Sequence, residues 1–460
     1  MAAASPFAIT NIRLFIAFRV FFNARFYYPV FTILFLDFGL TIEQFALLNS
    51  VWAVTIFCAE VPSGALADLI GRKRLIVATS FCMIAEMSLL AFVPLGSSSL
   101  VFSVFLVNRI LSGLAEAMAS GADEAIAYDS LAAEGNSGDW PKVLSLQMRL
   151  HSVASIITLT LGALVYDPSA MNRLLSWLGS PHILTQQTTM RFPIYLTLGM
   201  AVLATVIALR MKEQPSSLPG TEDHVTPLTA LRKVWQAGRW IVRTPFSLAV
   251  ILFGMGYDHV LRMVVTMTSQ YFREIELPEA SFGLIGSAMA LLGLVTPKIA
   301  ERMAAKNSPA VNLAWVSAIS LAGLFGLCGF YPYWGLLPMA LIFTAMMFVS
   351  MFTSHYLNLI AESHQRATVL SFKGMAFNLA YGLIGVFFAL LTTHMRENGS
   401  LLHPEWSATV LTSYAFREAL TWFPWYTVAG LGLAAVACSW YLRKTRTPGH
   451  PTSPKEEENP

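Results

Sequence analysis

Charged residues are scarce in this chain. Only 12% of its 460 residues are Asp, Glu, Lys or Arg, whereas 55% are hydrophobic, and the mean hydropathy is +0.58. A soluble domain carries roughly 25% charged residues, because its surface must face water. Most of this surface therefore faces something other than water. The net charge of +3 gives no indication of nucleic-acid binding.

The sequence also lacks cysteines placed for disulfides and the motifs that would indicate nucleotide binding, hydrolysis or metal binding. The four cysteines each lie in an apolar run, so we interpret them as reduced packing residues: Cys58, Cys82, Cys328 and Cys438. The sequence holds no G-x-x-x-x-G-K-[ST] nucleotide loop, no G-x-S-x-G element and no metal-ligand cluster. ATP-driven pumping, hydrolase chemistry and a cofactor therefore have no support, and we predict that the protein is not an enzyme.

Long apolar runs dominate what is present. About 20 mostly apolar residues cross a bilayer as a helix, and windows of this length lie near 12–35, 44–66, 75–95, 100–128, 143–165, 192–210, 246–271, 281–300, 311–330, 334–358, 367–392 and 422–443. We expect the first to be an uncleaved signal anchor. The pattern predicts an all-α integral membrane protein of twelve spans, with six-helix bundles at 1–210 and 246–445 and a disordered tail at 446–460.

The segment between the two sets of spans, 211–245, is polar and then amphipathic. Its apolar side chains share one side of a helix and its polar and basic ones the other: Leu228, Leu231, Trp235 and Val242 against Arg232, Gln236, Arg239 and Arg243. This pattern is typical of a helix at the cytoplasmic membrane interface, in contact with anionic lipid.

Lysine and arginine are distributed unevenly among the predicted loops. Sixteen lie on one side, and the other side holds five: Arg173, Arg191, Arg273, Arg396 and Arg417. Because cytoplasmic loops carry the excess of positive charge, we predict that both termini are cytoplasmic. Six spans, a linker and six more spans form the repeat plan of a large transporter group. Neither a seven-helix receptor nor a membrane enzyme would be expected to have this division into two sets of six.

The loop after the second span carries the most specific motif. It reads Gly64-Ala-Leu-Ala-Asp68-Leu-Ile-Gly71-Arg72-Lys73-Arg74, which resembles the G-x-x-x-D-x-x-G-R-[KR]-x signature of the major facilitator superfamily. The resemblance implies a bacterial twelve-helix transporter of unassigned substrate, in the inner membrane. We expect Gly64 to allow close helix approach, Gly71 to adopt a positive φ, and Asp68 to meet the next helix N-terminus or a basic partner.

Two further elements bear on the kind of transport. Arg109-Ile-Leu-Ser-Gly113 resembles the R-x-x-x-G element associated with proton-coupled members. The fifth span lacks the G-P-x-x-G-G pattern that drug antiporters carry. A partial copy of the loop motif follows at 296–302, and alignment of Asp68 with Glu301 gives an offset of 233 residues between the halves.

Ionisable residues inside spans are costly and therefore mark candidate sites. In the fourth span, Arg109, Gly113, Glu116, Ser120 and Asp123 fall along one helical face. We interpret Arg109 and Glu116 as cavity residues, with Glu116 as a proton carrier, and structural pairing is the alternative. Asp123, Glu124 and Asp129 are predicted partners of Arg72 or Arg74. Glu60 is predicted to be structural, and the sequence assigns no role to Glu86.

The other candidates lie in three spans. They are Asn23 and Arg25 in the first, Asp258, His259 and Arg262 in the seventh, and Lys373 and Asn378 in the eleventh. The 233-residue offset places Arg25 opposite Asp258, which predicts an ion pair between the bundles or a joint site for a charged substrate group. The competing prediction is a pair between Asp258 and Arg262, four residues apart on one helix.

Together these features predict a secondary transporter of a small organic solute that works by alternating access. Proton coupling is the first expectation, with export favoured over uptake. The alternatives are an uptake or facilitated-diffusion permease, and a transport-inactive sensor or assembly partner. The expected partners are the solute, protons and membrane lipid, without nucleic acid or ATP, and the protein is expected to be a monomer. We expect Asp68→Asn to slow transport without weakening equilibrium binding.

Overall fold

The structure is a computed structural model that describes residues 5–213, 227–361 and 366–445. Within those ranges all regular structure is helical. Eleven helices are long and apolar enough to cross a membrane, and a shorter apolar segment covers Tyr28–Asp37. The predicted all-α membrane fold is thereby confirmed. The polar part of the linker, 214–226, and the predicted disordered tail, 446–460, lie outside the described residues.

The helices follow one another with short connections. Those of the first half are α1 (Thr10–Phe22), α2 (Phe31–Asp37), α3 (Ile42–Ile70), α4 (Arg72–Phe92), α5 (Ser98–Ala119), α6 (Ala122–Glu134), α7 (Trp140–Tyr166), α8 (Pro168–Trp177), α9 (Gln186–Thr189) and α10 (Phe192–Arg210). The linker helix is α11 (Pro227–Arg243). The second half holds α12 (Pro245–Thr266), α13 (Thr268–Glu274), α14 (Phe282–Lys306), α15 (Pro309–Leu327), α16 (Leu336–Ile360), α17 (Arg366–Leu402) and α18 (Ala408–Thr445).

Each half packs mainly on itself. In the first half α4 lies against α5 and α10, and α5 also lies against α3; in the second, α12 lies against α16, α17 and α18. The halves meet along two helix pairs, α3 with α17 and α7 with α14. At the second of these pairs Gly283 is required, because a Cβ there would clash with the carbonyl group of Leu159.

Three predicted spans are divided in the structure. The first, expected at 12–35, breaks between α1 and α2; the fourth breaks at Gly121, where φ is +79°; and the seventh breaks at Met267. The left-handed φ at Gly121 turns the chain, so Asp123 does not continue the helical face of Arg109 and Glu116. Helices α17 and α18 are longer than expected, with 37 and 38 residues, because their polar ends stay helical outside the apolar window.

The predicted amphipathic helix of the linker is present as α11. Its inner side packs against α3, α12 and α17, with Ala237 and Ile241 buried and Gly238 against the ring of Phe372. The predicted apolar and basic positions are exposed: Leu228, Leu231, Trp235, Val242, Arg232, Gln236, Arg239 and Arg243.

Candidate functional site

The break in the first span creates the centre of the site. After α1 ends, the Asn23 amide donates to the Arg19 carbonyl at 2.7 Å, which draws the chain out of the helix. The freed N–H of Phe26 donates to Thr197 Oγ1 on α10 at 3.0 Å. Gly162 on α7 leaves room for the Phe26 carbonyl, with which a Cβ would clash. Unwound backbone is tolerated at membrane depth only where the protein satisfies its polar groups in this way.

Arg25 lies in this unwound segment and pairs with Glu86. Its Nη1 is 2.5 Å from Glu86 Oε1, and the two side chains are 6% and 0% exposed. Glu86 Oε2 has no hydrogen-bond partner among the described residues. Because this pair is removed from water, each charge is compensated only by the other. Loss of either residue would leave an uncompensated buried charge.

Arg109 lies beside this pair on α5. Asn108 donates to the Glu86 carbonyl at 2.9 Å and accepts from Arg109 Nε at 3.0 Å. The Arg109 guanidinium lies 5.4 Å and 5.6 Å from the ring centroids of Phe31 and Phe35, within range of cation–π attraction. Its Nη2 is buried without a partner in the described chain. Arg25, Glu86 and Arg109 thus form one buried polar centre.

Glu116 opens onto a polar cavity of about 400 Å³ on the side of the loop motif. The other lining residues include Arg19, Asn23, Asp123 and Glu124. Arg19 pairs with both Asp123 and Glu124, so the predicted pairing of these two carboxylates with Arg72 or Arg74 is not observed. The Glu116 side chain is exposed to the cavity, and no described residue pairs with its carboxylate.

The second half contributes a separate cluster around Arg262. Its Nη2 is 2.6 Å from Asp258 Oδ2, and its Nη1 donates to Asn378 Oδ1 at 2.9 Å. The guanidinium lies 5.3 Å from the ring centroid of Tyr381. The Asp258–Arg262 pair is close but poorly aligned, because Asp258 Oδ2 accepts no hydrogen bond. This conformation therefore shows the Asp258–Arg262 pair, which was the competing prediction from the sequence. Arg25 and Asp258 are not paired.

His259 and Lys373 complete the second-half candidates. The His259 ring bridges Met255 and Tyr426, with Nδ1 2.6 Å from the Met255 carbonyl oxygen and Nε2 3.0 Å from the Tyr426 hydroxyl. Both ring nitrogens therefore have partners. Lys373 Nζ lies 5.4 Å from the ring centroid of Phe377, and no ion pair to a described residue holds it.

Aromatic and hydroxyl groups connect the two halves. The rings of Trp52 and Tyr381 meet edge to face with centroids 6.4 Å apart. Thr32 donates through Oγ1 to the Thr266 carbonyl at 2.8 Å and through its N–H to Ser269 Oγ at 3.0 Å. The polar clusters of the two halves are therefore next to each other.

Ion pairs join the halves at the end opposite the loop motif, which we call the outer end. Arg273 donates to both carboxylate oxygens of Asp37, each at 3.0 Å, and to Glu279 Oε1 at 2.6 Å through Nη2. Tyr166 donates to the same Asp37. Glu43 and Arg396 form a second pair between the halves at 3.4 Å. The outer end is therefore closed.

The loop motif is organised around a residue outside it. Gly71 has φ +91°, as predicted. The Glu213 carboxylate accepts the N–H groups of Arg72 and Lys73 at 2.9 Å and 2.8 Å, so it caps α4 in the position that was expected for Asp68. The Arg72 side chain pairs with Asp129, as the sequence predicted.

Two other predictions for the motif have different outcomes. The Asp68 side chain lies outside the described residues. The expected close helix approach at Gly64 is wrong, since a Cβ there would meet nothing within 4 Å. Close packing occurs earlier along α3, where a Cβ at Gly113 of α5 would lie 2.8 Å from Thr55 Cβ. That contact explains why the Arg109-x-x-x-Gly113 element ends in a glycine, since a larger residue would clash with Thr55.

The family model described as Major Facilitator Superfamily matches residues 13–389. The chain belongs to the Major Facilitator Superfamily. A search of curated proteins found no match. Membership supports a transporter rather than an enzyme, as predicted.

Solved structures with this superfamily fold resemble the chain at low sequence identity. A bacterial homolog of the human lysosomal transporter Spinster, inward-facing and unoccupied, has a TM-score of 0.69 and 14% identity over 98% of this chain and 100% of its own. The nucleoside transporter NupG gives 0.65 and 13% over 94% and 98%. A D-xylose-proton symporter gives 0.62 and 12% over 92% and 96%. At these identities the likeness shows the fold alone.

Several residues of this candidate site could not be assigned from the sequence. Glu86 received no role, yet it is the partner of Arg25. Asp37 and Glu213 were not considered, and Arg273 was counted only as a loop charge. Glu86 had a usable signal, because a lone carboxylate in an apolar span needs a cation, and Arg25 is a cation in a neighbouring span. No signal in the sequence placed Glu213 at the loop motif.

The contact between Arg72 and Asp129 leads to a prediction about rate. We expect Asp129→Asn to slow transport about two- to fivefold, since a partly exposed pair contributes up to about 1 kcal/mol, and to leave equilibrium solute binding unchanged. Turnover and binding measured on the same purified protein test this. Lys142→Gln is the control, because its exposed pair with Asp139 lies outside the motif. Weakened binding with normal turnover would contradict the prediction.

Proposed function

We propose that this protein is a proton-linked secondary transporter that moves a small organic solute by alternating access. Its proposed location is a bacterial inner membrane, with both termini in the cytoplasm. The observation that carries the proposal is the Glu116 carboxylate, which faces a polar cavity without a partner among the described residues. A carboxylate in that position is able to take up and release a proton without first breaking an ion pair.

Alternating access is supported by the asymmetry between the two ends. Ion pairs join the halves at the outer end, whereas the cavity at Glu116 lies on the side of the loop motif. Such an arrangement suits the inward-facing member of a pair of states, in which the outer contacts must break before the solute crosses. The proposed solute path follows the polar groups between these ends.

The solute-binding groups that we propose come from both halves. The first half offers Asn23 and Glu116, and the second offers Lys373 and the Arg262–Asn378 contact. Lys373 and Glu116 have no ion-pair partners in the described chain, so a solute with polar or charged groups is able to pair with them. The buried centre of Arg25, Glu86 and Arg109 stabilises the structure around the cavity.

We expect Glu116→Gln to flatten the pH dependence of transport, because glutamine keeps the shape of the side chain and cannot exchange a proton. The measurement is the initial rate of solute flux in proteoliposomes across a range of pH. Glu124→Gln is the matched control, since Glu124 lines the same cavity but is paired with Arg19. A Glu116→Gln protein with the wild-type pH profile would place proton coupling elsewhere, with Asp258 or His259 next to be tested.

The solute is identified first by binding. A thermal-shift screen of the purified protein against metabolites and drugs detects ligands that bind the folded state. Proteoliposomes with each hit then report solute flux and internal pH together. Coupled proton movement supports the proposal, and its sign relative to solute flux distinguishes export, which we favour, from uptake. Flux without proton movement indicates facilitated diffusion, and binding without flux indicates a sensor or an assembly partner.

A further inference from the structure

An apolar cavity in the second half lies apart from the proposed solute path. It has a volume of about 210 Å³ and lies between α12, α15 and α16. Its walls include Phe246, Val250, Phe253, Leu313 and Val316. Sites that enclose drug-sized ligands are larger, at roughly 300–1,000 Å³. The cavity therefore suits a narrow apolar group.

Three of the four polar side chains along this cavity are hydrogen-bonded within the protein, and Thr353 is the exception among the described residues. Asn312 donates to the Tyr356 hydroxyl at 2.8 Å, and the Tyr257 hydroxyl lies 2.5 Å from Ser317 Oγ. A polar solute would find little to pair with there. An apolar chain would leave these bonds intact while covering the apolar walls.

Two exposed cations flank the mouth of the cavity. Its exposed lining residues include Phe246 at the start of α12 and Pro309 at the start of α15, which lie on the side of the loop motif. Arg243 precedes Phe246 by three residues, and Lys306 precedes Pro309 by three. Three residues span at most about 11 Å, so the Cα atom of each cation lies within that distance of an exposed lining residue.

Helix α11 places this mouth at the membrane surface. Leu228, Trp235 and Val242 of α11 are 76%, 71% and 51% exposed, and its arginines lie beside them. A helix with exposed apolar and basic stripes side by side lies at the level of lipid headgroups. Arg243 is the last residue of α11 and belongs to this basic stripe.

We propose that an anionic phospholipid of the cytoplasmic leaflet binds at this position. One acyl chain enters the cavity between α12, α15 and α16, and the phosphate lies between Arg243 and Lys306. The apolar walls account for the chain, and the paired cations account for the preference for a negative headgroup. Because α11 also contacts α3 and α17, the bound lipid is next to a contact between the two halves.

The test is native mass spectrometry of the full-length purified protein titrated with dioleoyl phosphatidylglycerol or dioleoyl phosphatidylcholine. We expect phosphatidylglycerol to bind more tightly. Arg243→Gln with Lys306→Gln should weaken phosphatidylglycerol binding roughly 25-fold, at about fivefold per cation, and leave phosphatidylcholine nearly unchanged. Arg232→Gln is the matched control, because Arg232 is an exposed arginine at the other end of α11.

A second variant tests the acyl chain. Ala249→Leu adds volume to a lining residue and should weaken both lipids equally. Monodisperse size exclusion and an unchanged unfolding temperature establish that each variant is folded. The proposal is overturned if the double variant binds phosphatidylglycerol as the wild type does. It is also overturned if Ala249→Leu has no effect while inorganic phosphate competes, which would indicate a phosphate site without a lipid.

Discussion

Arg25→Glu should abolish transport and reduce the yield of folded protein, and Glu86→Arg in the same chain should restore part of both. The reason is the burial of the pair, at 6% and 0% exposure. Loss of one partner of a buried ion pair costs about 3–5 kcal/mol, because the other charge is left uncompensated. Such a cost is a large fraction of the stability of most proteins. Transport in proteoliposomes and the unfolding temperature are the two measurements.

A second exchange of residues tests the alternative pair of Arg25 with Asp258, which the 233-residue offset predicts. Arg25→Asp with Asp258→Arg is expected to give no rescue, since Asp258 contacts Arg262 instead. Replacement of both Arg25 and Glu86 by methionine should preserve folding, because two apolar groups leave no unpaired charge. If that methionine variant also transports normally, the pair is structural only. Rescue through Asp258 rather than Glu86 would contradict our assignment.

Arg273→Gln should shift the protein toward an outward-open state, by about tenfold in population. Arg273 holds Asp37 across the halves with two hydrogen bonds, and a partly exposed contact of this kind contributes about 1–2 kcal/mol, where 1.4 kcal/mol is tenfold. Burial lowers the pKa of Arg273, but Asp37 and Glu279 outweigh it and raise the pKa above its usual value. Arg273 therefore stays charged at any physiological pH.

Spin-label distances measure this shift. Labels on cysteines introduced at Ser98 and Ser400, which are exposed at the outer ends of α5 and α17, report the separation of the halves. The four native cysteines are first replaced. Arg417→Gln is the matched control, because Arg417 pairs with Glu274 at the same end but within the second half. Equal distance distributions for the Arg273 and Arg417 variants would rule out a closing role for Arg273.

The order and class of the helices could be predicted from hydropathy because each span carries its own apolar signal. The break in the first span could not. Residues 12–35 have the length of one span despite their arginines, and the interactions that stabilise the break lie far along the chain, at Thr197 and Gly162. Gly121 shows the same limit, since a single glycine within a predicted span does not reveal a left-handed turn.

The candidate site could be predicted as a set of residues but not as a set of contacts. Arg25, Arg109 and Arg262 stand out because a cation inside a span is costly wherever its partner lies. The partner depends on which helices pack together, and this placed Glu86 beside Arg25 and Asn378 beside Arg262. The Asp258–Arg262 pair could be anticipated, because one helix turn fixes its geometry.

The pairing of Arg25 with Glu86 also constrains how the chain is made. The two residues are 61 positions apart, and at 5–20 residues per second a ribosome needs roughly 3–12 s to synthesise that interval. During that time Arg25 has been synthesised without the carboxylate that will neutralise it. The first span therefore cannot reach its final position in the membrane by itself, and its burial is complete only after the third span has been synthesised.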